Sequence, residues 1–331
     1  IYIENNLTTG AFSADRVEVI KLLAAQAGLS MENARLYEEQ VRLTEAQSRF
    51  VPAQFLEIMG RRDIADVGLG EFVARDMSVM FADLRAFTPL AEQLAPRQVI
   101  DLLNRHFSRI GGPIADAGGF IDSYNGDEIM ALFPLPGLRA VSAGVSMQRA
   151  LADFNRESIA GGGPSLEMGI GVNTGPLVLG TVGSQDRLKC GVVGDTVNTA
   201  SRIEQLTKRY GAPFLIGEQT YRSLPASSGF SVRAVDRVAA KGKVQAMTLY
   251  EVLDAETDER RSAKESTRSM LDGAMTLYFA RDFSGAGKTL AYAREMDVRD
   301  PVLAILSERC ERYAVTPPPD YWHGAESLDF K

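Results

Sequence analysis

Two aspartates carry the first suggestion of chemistry. Asp83 ends an apolar run, Met77 to Ala82, and is followed by Leu-Arg-Ala-Phe-Thr88, the pattern of a buried strand that ends in a carboxylate and turns into a loop. Asp127 follows Asn125-Gly126, which separates the short apolar runs Phe120 to Tyr124 and Ile129 to Phe133, so a tight hairpin is expected with Asp127 at or just past its tip. If strand and hairpin are neighbours in one sheet, the two carboxylates face each other. A pair of oxygen ligands beside free backbone N–H groups suits magnesium and a polyphosphate. Taken singly, each aspartate is more simply a solvated turn residue, and it is the pair that points to chemistry.

Two further segments follow in order. Gly194-Asp-Thr-Val-Asn-Thr-Ala-Ser-Arg-Ile-Glu204 places Asn198 and Arg202 four residues apart, on one face of a helix. Ala240-Lys-Gly-Lys243 precedes a final strand. Together the four segments resemble those of the class III nucleotidyl cyclases, the adenylyl and guanylyl cyclases. In that family the ribose 3′-hydroxyl attacks the α-phosphate in line with departing pyrophosphate, and catalysis is mainly charge neutralisation and positioning. The resemblance implies that Asp83 and Asp127, with the carbonyl of Leu84, hold two divalent ions, Mg²⁺ or Mn²⁺. It places Phe87 and Thr88 where backbone N–H groups meet phosphate, and makes Arg187 and Lys241 phosphate-binding, with Lys243 the lesser choice. Asn198 would orient the ribose, and Arg202 would stabilise charge on the α-phosphate. It also implies a head-to-tail homodimer, in which the metal carboxylates come from one protomer and the base readers, Asn198 and Arg202 from the other.

The chain departs from the family where the base is read. Four residues before the second metal aspartate, where adenylyl cyclases carry lysine and guanylyl cyclases glutamate, stands Ser123. Seven before Asn198, where aspartate or threonine reads adenine and cysteine reads guanine, stands Gly191. Cys190 is one place off, and strand alternation turns it to the other face. Ser123 donates or accepts, and Gly191 offers only backbone, so discrimination by fixed polar partners is weakened. The expected substrate is ATP and the product cyclic AMP. The alternatives are a guanylate or base-relaxed cyclase and, in a different class, a catalytically silent nucleotide-sensing dimer module. Against the last stands the intact set Asp83, Asp127, Asn198 and Arg202.

The elements that must position these residues alternate: strand 77–82, helix 96–117, hairpin 119–133, helix 137–157, strands 165–174 and 176–182, a strand ending at 193, helix 194–210, and strands 213–216, 230–240 and 246–253. This order implies an α+β fold with a mixed, largely antiparallel sheet, the ferredoxin-like arrangement of the resembled family, over 76–253. Residues 1–37 resemble the last strand and helix of a GAF sensor domain, as though the chain were a fragment of a longer one with an upstream sensor. Residues 38–75 form a helical linker or transducer element, broken at Pro52. After Leu253 comes a charged linker, then helices 263–281, 284–296 and 300–313; segment 254–331 resembles a single tetratricopeptide-type unit. One such unit cannot bury its own face, so it must dock on the catalytic domain or on a partner.

Composition narrows the class. The 331 residues are 45% apolar and 24% charged, ordinary for a globular protein with a sizeable core. The net charge of −7, from 43 acidic and 36 basic residues without a basic stripe, argues against nucleic acid or an anionic membrane as partner. No apolar run approaches the roughly 20 residues of a membrane helix, and no signal-peptide pattern is present. Cys190 and Cys310 lack metal spacing and fit a reducing, cytoplasmic compartment. His106 and His323 are read as packing or surface residues.

Overall fold

The structure is a computed structural model that describes residues 4, 13–48, 50–134, 137–184, 187–240 and 246–328. Apart from Glu4, the expected opening strand lies outside them, as do Lys241 and Lys243. Residues 1–56 and 57–331 form two compact units, each described by itself. In the first, the Ser13 carbonyl accepts from Val17 N–H (2.9 Å) and opens α1, Ala14–Ser48. It runs unbroken through the polar stretch 38–47, which holds neither Gly nor Pro. Its apolar side chains Leu22, Leu23, Leu29 and Met31 are exposed. Chain regularity breaks at Pro52, α2 follows at Ala53–Ile58, and Gly60 beyond it takes φ +70°.

The second unit runs β1 (Phe72–Leu84), α3 (Phe87–Ala91), α4 (Pro96–Asp116), β2 (Phe120–Asn125), β3 (Glu128–Phe133), α5 (Gly137–Ala160), β4 (Met168–Ser184), β5 (Arg187–Val193), α6 (Asp195–Tyr210), β6 (Phe214–Gly217), α7 (Glu218–Arg222), β7 (Val232–Ala240) and β8 (Ala246–Val252), then α8 (Asp258–Phe279), α9 (Phe283–Met296), α10 (Pro301–Val315) and β9 (Glu326–Leu328). Among the described residues, the sheet order is β2-β3-β1-β4-β6-β8-β7-β9, with β5 paired to β4. Only β4–β6 and β7–β9 are parallel, so the expected mixed, largely antiparallel α+β fold is what forms.

Side-chain alternation divides the core between the two faces of this sheet. Met80, Ala82 and Leu84 of β1, with Phe214 and Ile216 of β6, join α4 and α5 in one cluster. Leu215, between the last two, turns to the other face and packs with Ile203, Leu206 and Tyr210 of α6, Val235 and Val238 of β7, and the helices α8–α10. The segment after Leu253 therefore shares one core with the sheet. Its aromatic cluster, Tyr278, Phe283, Tyr313 and Trp322, closes the outer side.

Two expectations are corrected. Strands 165–174 and 176–182 are one strand, β4, with Pro176 inside it opposite Asp76. On its other edge β4 pairs with β6 at Ile170–Val172 and with β5 from Val178 on, so Pro176 sits where that edge changes partner and no ladder donor is missed. The charged linker after Leu253 is a short 3₁₀ turn and the start of α8, because its charges are paired: Thr257 caps the helix, Arg261 meets Asp254 at 3.1 Å, Arg260 meets Asp297 at 3.0 Å, and buried Lys264 lies between Glu251 and Glu256.

Candidate active site

Asp83 is the penultimate residue of β1, opposite Gly169 of β4. On its other side β1 pairs with β3 up to Ala82–Ile129, which brings the β2–β3 hairpin tip alongside. The two-residue loop of that hairpin is Gly126-Asp127, closed by the Asn125–Glu128 pair, and Gly126 takes the positive φ of +69° that a tight turn needs. Asp127 is thus at the tip, with its carboxylate beside that of Asp83. Burial, and then the like charges of Asp127 and Glu128, push the Asp83 carboxyl up to about 6. Glu128 is also raised, by burial first.

The loop after Asp83 is held from behind. Arg85 N–H donates to the Glu167 carbonyl (2.8 Å), and its guanidinium donates to the carbonyls of Ala212 (2.7 Å) and Thr207 (3.3 Å), the C-terminal end of α6. Ala86, a non-glycine residue at φ 54°, then starts α3, where Phe87 is buried and Thr88 exposed. One arginine therefore ties the loop after Asp83 to the helix that carries Asn198 and Arg202.

That helix lies directly on the sheet. A Cβ on Gly171 of β4 would strike the Glu204 backbone and the Ala200 carbonyl, so only glycine lets α6 approach this closely. Glu204 is 8% exposed, and burial first, then the charge of Asp83, push its carboxyl up to about 8. Neither Glu204 nor Arg85 figured among the expected site residues. The signal for Glu204 was an acid among Ala200, Ile203, Leu206 and Thr207, on what is otherwise the buried face of an amphipathic helix.

At about 100° per residue, Arg202 projects roughly 200° and Asn198 roughly 240° around α6 from Glu204, so both look away from the carboxylates that Glu204 faces. Asn198 is exposed. A polar cleft of about 630 Å³ lined by Arg85, Arg149, Asn155, Asp254 and Arg261 contains none of Asp83, Asp127, Ser123, Gly191, Asn198 or Arg202. Arg187, exposed, opens β5.

The pKa of Asp122, beside the expected base reader Ser123, is raised by burial, and the group feels the charge of Lys189, while that of Cys190, beside Gly191, is raised by burial and then by the charge of Asp122. Gly191 is outside the left-handed region, and a Cβ built on it meets nothing within 4 Å.

Among the described residues no group of three or more His, Cys, Asp or Glu forms a cation cage. Asp83 and Asp127 nevertheless fit a divalent cation of the kind that keeps waters and completes its shell with substrate phosphate, binding through one or two carboxylates. Two carboxylates held together at the cost of a raised pKa are a donor set that such an ion relieves.

Several known proteins are similar to this chain. An adenylate cyclase of Anabaena cylindrica is 41% identical over 210 residues, 62% of this chain and 42% of that protein. The terminal-differentiation specific adenylate cyclase of Dictyostelium discoideum is 36% identical over 270 residues, 80% of this chain but 13% of its own length. The chain thus spans less than half of either relative. Among solved structures, the guanylyl cyclase Cya2 matches at 36% identity and a TM-score of 0.50 over 55% of this chain and 93% of that one. The adenylyl cyclase CyaB from P. aeruginosa matches at 30% and 0.51 over 57% and 98%. Residues 73–253, more than half of the chain, match the adenylate and guanylate cyclase catalytic domain, and the chain belongs to that family of class III cyclases.

Proposed function

We propose that the chain is an adenylate cyclase that converts ATP to cyclic AMP and pyrophosphate, working as a head-to-tail homodimer with shared sites. The observation that carries this reading is the Asp83–Asp127 pair, one carboxylate at the end of β1 and the other at the tip of the neighbouring β2–β3 hairpin, close enough that, after burial, their like charges raise the Asp83 pKa. With Leu84 they would hold two Mg²⁺ or Mn²⁺ ions, which lower the pKa of the ribose 3′-hydroxyl and neutralise the triphosphate. Asn198 orients the ribose, and Arg202 balances charge building on the α-phosphate. Phosphate also meets Arg187, Lys241 and the backbone at Phe87 and Thr88. Because Asn198 and Arg202 face away from their own chain's carboxylates, a second copy is needed to complete each site. ATP is preferred because the relatives named above from Anabaena cylindrica and Dictyostelium discoideum are adenylate cyclases. Ser123 and Gly191 favour a second reading, a cyclase that also accepts GTP. The test is incubation with ATP, GTP, CTP or UTP and Mn²⁺, with chromatographic identification of products. Cyclic AMP is expected as the main product, and no cyclic product from any of the four contradicts the reading.

A further inference from the structure

Arg85 touches both halves of the proposed machinery within one chain, although the reaction assigns it no step. It follows Asp83 by two residues, and its backbone N–H is fixed on the Glu167 carbonyl, just before β4, at 2.8 Å. Its guanidinium reaches the C-terminal end of α6, where one terminal nitrogen donates to the Ala212 carbonyl at 2.7 Å and to the Thr207 carbonyl at 3.3 Å. Gly211, at φ +57°, is the left-handed residue that ends the helix there. The helix dipole also favours a cation at this end. Glu167, with its carboxylate 3.8 Å away, is 77% exposed and adds little. The Arg85 Nε is buried without a partner among the described residues, so reaching α6 leaves one donor unsatisfied, which stability alone does not explain.

The helix transmits what happens at that end. Its middle lies against Gly171, where a Cβ would strike the Glu204 backbone and the Ala200 carbonyl, and its end is held by Arg85. Arg202 stands about 7.5 Å along the axis from Thr207 at 1.5 Å per residue, so a displacement of the end reaches it. We propose that Arg85 is a positioning residue that locks the loop after Asp83 to the end of α6, and that it thereby couples the two active sites of the dimer. This rests on the shared-site reading above, in which the loop of a chain serves one site and its α6 serves the other. Whatever shifts the loop at one site then shifts Asn198 and Arg202 at the second. Lysine keeps the charge at this position but not the planar fork.

The experiment uses mixed dimers of full chains, one carrying Asp83→Ala and the other Arg202→Ala, purified through two tags. Such a dimer has one complete site, which takes its loop from the Arg202→Ala chain and its α6 from the Asp83→Ala chain. Arg85→Met is then added to one chain or the other. On the Asp83→Ala chain, whose own loop the complete site does not use, turnover should still fall about tenfold, the scale of a sub-ångström misplacement, with KM for ATP within about twofold. On the Arg202→Ala chain, KM should rise about tenfold, and calorimetry with Mn²⁺ and 3′-deoxy-ATP, which lacks the attacking hydroxyl, should show the same loss of affinity. Arg85→Lys should recover part of each effect, and it carries the comparison if the methionine variant does not fold. No effect from the Asp83→Ala chain overturns the coupling, since Arg85 then serves its loop alone. Equal changes of turnover, KM and affinity in both placements, with a lowered melting temperature, overturn it as well, because a general loss of stability acts alike from either chain. In both cases the shared-site reading stands. If the parent pair shows no activity, that reading falls, and the coupling with it.

Discussion

In the proposed reaction, Asp83 is the residue on which the chemistry turns. Asp83→Asn or Asp127→Asn preserves shape and removes charge, so turnover should fall about a thousandfold or more, the scale of several kcal/mol of charge stabilisation, with unfolding temperature and dimer unchanged. Steady-state rates beside thermal melts check this, and activity within a few-fold of wild type contradicts it. A pH dependence follows from the same carboxyl. Burial, with the charges of Asp127 and Glu128, keeps a proton on Asp83 up to about 6, and a bound cation must displace it. Mn²⁺ affinity should therefore be flat above that pH and fall by up to about tenfold per unit below it, as titrations in buffers from pH 5 to 8 would read. The two aspartates were legible in the sequence because each sits at a break in an apolar run. The place of Glu204 beside Asp83 was not: the sequence shows an acid on the buried face of a helix, but what makes it a neighbour of Asp83 is the close approach of α6 over Gly171, a tertiary fact.

At the scale of elements, α6 is braced from both ends of the chain. Arg85 donates to the Thr207 carbonyl in its last turn and to Ala212 just beyond it, and its final residue, Tyr210, donates to Asp236 of β7 at 2.6 Å. Asp236 in turn accepts two bonds from Arg309 of α10, both at 2.8 Å, in a buried setting. Removing one member of such a pair strands the other charge. Arg309→Met should cost about 3–5 kcal/mol in urea unfolding, and less than about 1 kcal/mol would mean that α10 is not coupled to the sheet in this way. The sequence showed the hairpin through Asn125-Gly126 and the helices through their periodicity, and it misplaced elements where pairing overrides composition. Strands 165–174 and 176–182 looked separate because the continuity of β4 across its change of partner is invisible locally. Residues 254–261 looked like a linker because nothing in the sequence says that Arg260 meets Asp297 and Lys264 meets Glu251.

For the molecule as a whole, the catalytic domain and α8–α10 share a core, whereas the proposed site is divided. The face of α6 that bears Asn198 and Arg202 looks away from Asp83 and Asp127, so under the proposed assignment each site draws on two copies of the chain. A catalytically silent module would have no use for such a division. The most direct test mixes two inactive variants, Asp83→Ala and Arg202→Ala, in equal amounts under conditions that let dimers exchange. Half of the dimers should be mixed, and each mixed dimer holds one site with carboxylates from one protomer and Arg202 from the other, so about a quarter of wild-type activity should return. No recovery, with mixed dimers demonstrated by two-tag capture, would contradict a site built from two copies of this chain.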